Sequence, residues 1–349
     1  MSPVPAGTAT DAAAAGLRRP TRVRLLWLAI ALVVLAGLIV ASVAIGSRDV
    51  DWAGIVAAFG GADDGLDSAA VLTRVPRTVL AMAVGAALGL SGAVMQGVTR
   101  NPIADPGILG INQGASLAIV VGIATFGLTT VSQYVWIAIG GAAVSAVLVY
   151  TIGSLGRGGA TPLKLALAGA ATTAVFGSLI TAVTLPRGDI YDLVRSWEIG
   201  GVGGARWDVL AQVGAFLVVG TLLSLGSARA LNSLALGDDV AAGLGERVAV
   251  ARASAALGAV LLCGAATAAA GPIAFVGLVV PHVVRLLVGV DHRWLLPFSA
   301  VVGAALLTAS DVLGRVIARP AELDVGILTA IVGAPVFIWI VRRRKVRDL

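Results

Sequence analysis

The sequence predicts an all-α polytopic membrane protein, and three observations carry that reading. Of the 349 residues, 58% are hydrophobic and only 13% are Asp, Glu, Lys or Arg, about half the charged share of a soluble domain. Mean hydropathy is +0.96, and a soluble fold this apolar would have nothing with which to cover its surface. The apolar residues also fall in runs long enough to cross a bilayer, which takes roughly 20 residues of helix. Lipid offers no hydrogen bonds, so each run must satisfy its own backbone and is read as a helix. The net charge of +6, from 25 basic and 19 acidic residues, would suggest nucleic acid only if the charges clustered on a soluble face, and they do not. A single cysteine, Cys263, excludes a disulfide framework or a cysteine zinc site within the chain.

Taken in order, residues 1–24 read as a disordered N-terminal tail, because the Ala-, Pro- and Gly-rich stretch has no periodicity. About ten spans follow, near 25–46, 78–97, 108–128, 134–154, 164–184, 207–228, 248–270, 273–290, 295–316 and 325–341. The first is too long for the apolar region of a signal peptide. Together they make a transmembrane domain over 25–342, with 343–349 as a C-terminal tail. An even number of spans puts both termini on one side. Most Lys and Arg fall on that side, among them Arg18, Arg19, Arg22 and Arg24 before the first span and Arg342, Arg343, Arg344 and Lys345 after the last. The bias makes both termini cytoplasmic and leaves Arg74, Arg77, Arg315 and Arg319 outside. The basic ends read as anchors beside anionic headgroups.

Helices solvated by lipid associate through close packing of small residues. Gly85, Gly89 and Gly92 share one helical face, and Gly140, Gly141 and Ala142 with Ser145 form a similar surface in the fourth span. Breaks are expected at Asn101-Pro102, Asp105-Pro106-Gly107, Gly271-Pro272 and Val280-Pro281, as short turns and half-helices whose freed backbone groups meet protein or water. Asp311 is the one acid placed inside a span. Arg315 lies one turn later, so an i,i+4 ion pair is the first reading, and proton or sodium coupling through Asp311 is the alternative. The only lysines are Lys164 and Lys345, and neither sits in a phosphate-cradling loop. There is no nucleophile–base pair and no HExxH helix, so no catalytic residue is assigned. Active transport would draw on an ion gradient or a partner subunit. The cytoplasmic stretch 229–247 is the most informative loop. Leu231, Leu234 and Leu236 precede a turn at Gly237, and Asp238 or Asp239 can cap a short helix ending near Gly243-Leu244-Gly245. Such helices would either lie flat on the surface or offer apolar knobs to a soluble partner.

The motifs, in order, are Arg74-Val75-Pro76-Arg77, the glycines 85–92, Gln96 with Arg100-Asn101-Pro102-Ile103-Ala104-Asp105-Pro106, Leu234-Ala235-Leu236-Gly237-Asp238, the run Ala270–Arg285, Asp291-His292-Arg293, Ala321-Glu322-Leu323 and Gly333–Ile338. On these, from about residue 25 onward, the chain resembles the permease subunits of bacterial ABC importers for iron–siderophore complexes, haem and cobalamin, with the type II importer fold. The resemblance implies a multi-pass subunit of the bacterial cytoplasmic membrane, paired with a second permease chain, two ATP-binding subunits that hold ATP and Mg, and an extracytoplasmic substrate-binding protein. No cofactor or metal is implied in this chain, and His282 and His292 are framework residues. A ferric siderophore is the expected cargo, with haem and cobalamin as alternatives.

By the same resemblance, Arg74, Arg77 and Arg315 dock acidic knobs of the binding protein; a planar guanidinium fork suits that task. The 231–246 segment, with Leu234, Leu236, Gly237, Asp238, Asp239 and Gly245, corresponds to coupling helices that sit on the ATPase. Asn101, Pro102, Ile103 and Thr161 belong to cytoplasmic gate loops. Residues 187–199, with Asp189, Asp192, Arg195 and Trp197, correspond to a short outer helix. Asp324 stands where the family usually has proline, and Pro162 where it has a small polar residue.

Overall fold

A computed structural model describes residues 20–46, 50–60, 65–107, 110–128, 130–156 and 161–345. Most of the expected N-terminal tail, the end of the C-terminal tail, Leu109 and Ala160 lie outside the described residues. Within them the chain folds into helices alone: α1 (Thr21–Ala44), α2 (Trp52–Gly60), α3 (Leu66–Thr99), α4 (Ile111–Phe126), α5 (Val131–Ser154), α6 (Pro162–Thr184), α7 (Gly188–Glu198), α8 (Trp207–Gly226), α9 (Ala228–Leu234), α10 (Asp238–Gly243), α11 (Val248–Ala270), α12 (Val276–Val288), α13 (His292–Ile317) and α14 (Val325–Lys345). Among the described residues, seven helices (α1, α3, α5, α6, α8, α11 and α13) are long and apolar enough to cross a membrane, and α4, α12 and α14 are shorter apolar helices. Three helix ends depart by four residues or more from expectation, the largest being the start of α3 at Leu66 where a span from near 78 was expected, and α2 was not anticipated. α1 begins at Thr21, with Pro20 at its N-cap, and α14 runs on to Lys345.

The bundle is organised around α3, whose apolar window is 78% buried, whereas that of α1 is 6% buried. α3 packs against α13, α11 and α12, and α4, α5 and α6 form a second cluster leaning on α11. The predicted glycine face makes the central contact. A Cβ on Gly85 would strike the backbone of Gly303, one on Gly89 that of Ser299, and one on Gly92 that of Gly277. In the fourth span Gly141 meets Gly114 and Ala118, while Ser145 donates to the Gly110 carbonyl at 2.7 Å. A Cβ on Gly140 would meet nothing within 4 Å, so Gly140 is not part of that packing surface.

The break at Gly271-Pro272 is present, between α11 and α12. Gly271 has φ 71°, and Phe275, a non-glycine residue at φ 68°, precedes α12. The break expected at Val280-Pro281 is absent, and Pro281 lies inside α12. Proline there removes the N–H that would bond the carbonyl four residues earlier. That carbonyl belongs to Gly277, and the Gln96 side-chain amide donates to it at 3.1 Å, so the helix continues without an orphaned acceptor.

Candidate functional site

The two ends of the bundle carry the polar chemistry. At one end, α3 and α13 bring Arg74, Arg77, Asp311 and Arg315 together, helped by the C-terminus of α1 and the 318–324 segment. Asp311 is fully buried and lies between two guanidiniums. Arg77 donates from Nε to Asp311 Oδ1 at 2.9 Å. Arg315 Nη2 is 2.8 Å from Asp311 Oδ2, an ion pair without the angle of a hydrogen bond. The i,i+4 pair read from the sequence is therefore present, and the neighbouring helix adds a second cation to it.

Donors of Arg74, Arg315 and Arg319 converge on one set of acceptors at the end of α1. Arg315 Nη1 donates to the carbonyls of Ser42 and Ile45, both at 2.9 Å, and Nη2 to the Ser42 hydroxyl at 2.7 Å. Arg74 Nη1 reaches the carbonyls of Val43 and Ala44 at 3.1 and 3.0 Å, and Arg319 Nη2 that of Gly46 at 2.7 Å. These are carbonyls that the end of a helix leaves without intrahelical donors, and cations are favourable there. Three arginines thus cap α1. Gly46 leaves room beside them, since a Cβ there would meet the Arg74 guanidinium and push it from its carbonyls. Arg315 is 1% exposed and Arg74 6%, so in this conformation neither presents a free fork at the surface. Arg77 is the outermost of the three predicted arginines, and Glu322 Oε2 accepts from its Nη1 at 2.6 Å.

Ser42, Arg319 and Glu322 are participants that sequence reasoning left unassigned. Glu322 carried a signal, as the acid of the Ala321-Glu322-Leu323 motif. Beside it, burial first of all raises the pKa of Asp324; Arg77 opposes that rise and Glu322 adds to it. The segments here are tied by backbone bonds, from Leu323 N–H to the Gly314 carbonyl at 3.1 Å, Gly326 N–H to Gly200 at 2.9 Å and Gly201 N–H to Ala270 at 2.8 Å. The short helix expected over 187–199 is α7, Gly188–Glu198, with Arg187 and Ile199 at its caps.

At the opposite end, α9 and α10 meet at Gly237, whose φ of 113° suits glycine. Leu231 and Leu234 are fully buried. Leu234, expected among the apolar knobs, faces the bundle, as the inward side of a short amphipathic helix must. Leu236, Val240 and Leu244 are the exposed apolar residues, Leu236 at 63%. Asn232 fixes the orientation: its Nδ2 donates to Asp291 Oδ1 at 2.7 Å, and its Oδ1 accepts from the His292 backbone N–H at 2.9 Å. Burial works to raise the pKa of Asp291, but the Asn232 and Arg293 hydrogen bonds and the charge of Arg24 bring it below the ordinary carboxylate range. Arg24, expected as a lipid anchor, is itself buried, with its guanidinium 5.7 Å from the centre of the Trp294 ring.

Asp238 and Asp239 do not cap α10. Gly237 holds the N-cap position and the two acids occupy the first turn, where negative charge is still favourable. Asp238 pairs with Arg100 and accepts from Arg252 Nη2 at 2.8 Å. Arg100, in the left-handed conformation at φ 50°, ends α3 and leads into Asn101-Pro102-Ile103, where the Asn101 side chain accepts from the Ile103 N–H at 3.2 Å. One carboxylate therefore links α10, α11 and the predicted gate loop. Thr161 is placed differently, as the N-cap of α6, with its hydroxyl accepting from the Lys164 N–H at 3.3 Å. Gly245, at φ 87°, closes the short-helix segment.

The chain matches the FecCD transport family over residues 30–343. It is 44% identical over 304 residues to the ferric enterobactin transport system permease protein of Escherichia coli strain K12, a match covering 87% of this chain and 91% of that relative. To the hemin transport system permease protein of Yersinia pestis it is 41% identical over 278 residues, covering 78% and 82% of the two chains. Among solved structures it is similar to one described as an inward-facing conformation of a metal-chelate type ABC transporter, with a TM-score of 0.78 and 27% identity over 91% of this chain and 99% of the other.

Proposed function

We propose a transport role that proceeds from family membership: the chain belongs to the FecCD transport family, and it is a multi-pass membrane permease subunit of the ABC importer kind. Its cargo in this reading is a ferric siderophore, carried inward across the bacterial cytoplasmic membrane, with haem or cobalamin as the alternative cargo of the same machinery. The distribution of Lys and Arg supports placing the α9–α10 end in the cytoplasm and the Arg77 end outside. Two such permease chains, or this chain and a related one, enclose the path. Two ATP-binding subunits work beneath, and a substrate-binding protein delivers from outside.

The observation that carries the reading is the two-sided build of α9 and α10. Leu231, Leu234 and the Asn232–Asp291 bond lock one side to α13, while Leu236, Val240 and Leu244 leave an apolar side open. A rigid element held this way acts as a lever. Force applied to it by an ATPase reaches Asn101-Pro102-Ile103 through Asp238 and Arg100, and the Thr161 turn forms the other side of the inner gate. Transport then follows alternating access, because each nucleotide state binds one arrangement of the levers better than the other. Outside, Arg77 stands at the docking rim, with Arg74 and Arg315 braced behind it. Rim charges of this kind mainly set encounter and register.

The test is the double variant Leu236→Asp with Leu244→Asp. Both side chains are exposed, so the permease should still purify as a folded protein, while the ATPase subunit should fail to co-purify and ATP-driven uptake should fall to background. Undiminished co-purification and uptake would overturn the lever assignment.

A further inference from the structure

Arg77 is the outermost of the three docking arginines, yet its fork is already filled. Nε and Nη2 face Asp311, and Nη1 holds Glu322. The two carboxylates differ in kind. Asp311 is fixed on α13 and its side chain is 0% exposed; Glu322 lies on the loop before α14 with its side chain 34% exposed. We infer that Glu322 is a built-in stand-in for the partner's acid, occupying Arg77 in the undocked permease and displaced when an acidic side chain of the extracytoplasmic protein arrives. This rests on the docking role proposed for Arg77 and adds to it how that site is held before docking.

The physical argument is one of exchange. An arginine left open at the rim would offer its charge to any anion in solution. With Glu322 in place, an incoming carboxylate replaces a carboxylate of the same charge and geometry, and Arg77 is never left unpaired. Glu322 is then returned to water, which its exposure and loop position allow. Asp311 cannot make that exchange, because it is buried and also balances Arg315. The outer partner is therefore expected to compete for Nη1 alone. The contact stays weak and reversible, as for other partly exposed ion pairs, and it sets register more than affinity.

The experiment uses the complete importer in lipid nanodiscs and, as probe, the substrate-binding protein that co-purifies with it from native membranes, with affinity measured at low and physiological salt. Glu322→Gln removes the competing charge and keeps the shape of the side chain, so affinity should tighten about two- to fivefold, most at low salt. Arg77→Gln should weaken docking about tenfold or more, and adding Glu322→Gln to it should change nothing further. Glu322→Ala provides a second removal of the competitor and should act in the same direction. If Arg77→Gln leaves affinity unchanged, the docking role of Arg77 fails. If Arg77→Gln weakens docking but both Glu322 variants leave affinity unchanged or lower it, docking stands and the stand-in is refuted.

Discussion

Replacing Asp311 by leucine should cost about 3–5 kcal/mol of stability and leave little folded protein after detergent extraction. The estimate is that for a buried ion pair broken on one side, which strands the remaining charge without compensation. Here the loss takes the carboxylate from Arg315 and one of two carboxylates from Arg77. Arg315 would also keep its bonds to Ser42 and Ile45, so it could not swing out to water without uncapping α1. Replacing the pair together, Asp311→Leu with Arg315→Leu, should recover part of the loss, since Arg77 retains Glu322. Thermal unfolding followed by size-exclusion in detergent reads both variants. The ion-coupled alternative is read by the milder Asp311→Asn: a carrier that uses Asp311 for protons or sodium should lose transport in the protein that remains folded, whereas an ATP-driven importer should keep ATP-dependent uptake in that fraction.

The second large effect lies where α3 meets α13 and α12. Gly303→Val places its first carbon against the backbone of Gly85, and Gly92→Val meets the backbone of Gly277. No rotamer relieves a clash of main chain on main chain. The helices must part, and in lipid close van der Waals packing is what holds them together. A loss of about 3 kcal/mol or more is expected for each, at the upper end of overpacking costs. Gly140→Ala is the control: open space surrounds Gly140, and its melting temperature should not fall. Because alanine is the better helix former, a loss at Gly140 equal to that at Gly303 would mean that close contact at this seam is not what makes the glycines matter.

Much of this architecture is legible in the sequence because it depends on local runs. The apolar stretches near 207–228 and 248–270 became α8 and α11 with ends shifted by no more than a couple of residues, and the four- and three-residue spacing of Gly85, Gly89 and Gly92 identified a true packing face. What the sequence hid depends on tertiary partners. Arg74 and Arg315 show their donors in the sequence, but their acceptors are backbone carbonyls at the end of a distant helix, and a carbonyl leaves no trace in residue identity. Pro281 reads as a break because the side chain that rescues the Gly277 carbonyl comes from Gln96, on another helix. Leu234 and Leu236 are chemically alike, but Leu234 lies one turn after Leu231 on the inward face of α9, while Leu236 falls beyond the helix end and is exposed. At the candidate site, the pairing of Asp311 with Arg315 was visible through its i,i+4 spacing, whereas Arg77 and Glu322, 245 positions apart, could be joined only by the fold.

The central claim, that this permease is driven by ATP through α9 and α10, is tested most directly by purifying the tagged chain in gentle detergent from its native membrane. Everything that accompanies it would then be identified and quantified by mass spectrometry. The account predicts a P-loop ATPase in one-to-one ratio with total permease, and uptake in proteoliposomes that requires ATP. A chain that emerges without any ATPase, and that moves its cargo when only an ion gradient is supplied, would contradict it.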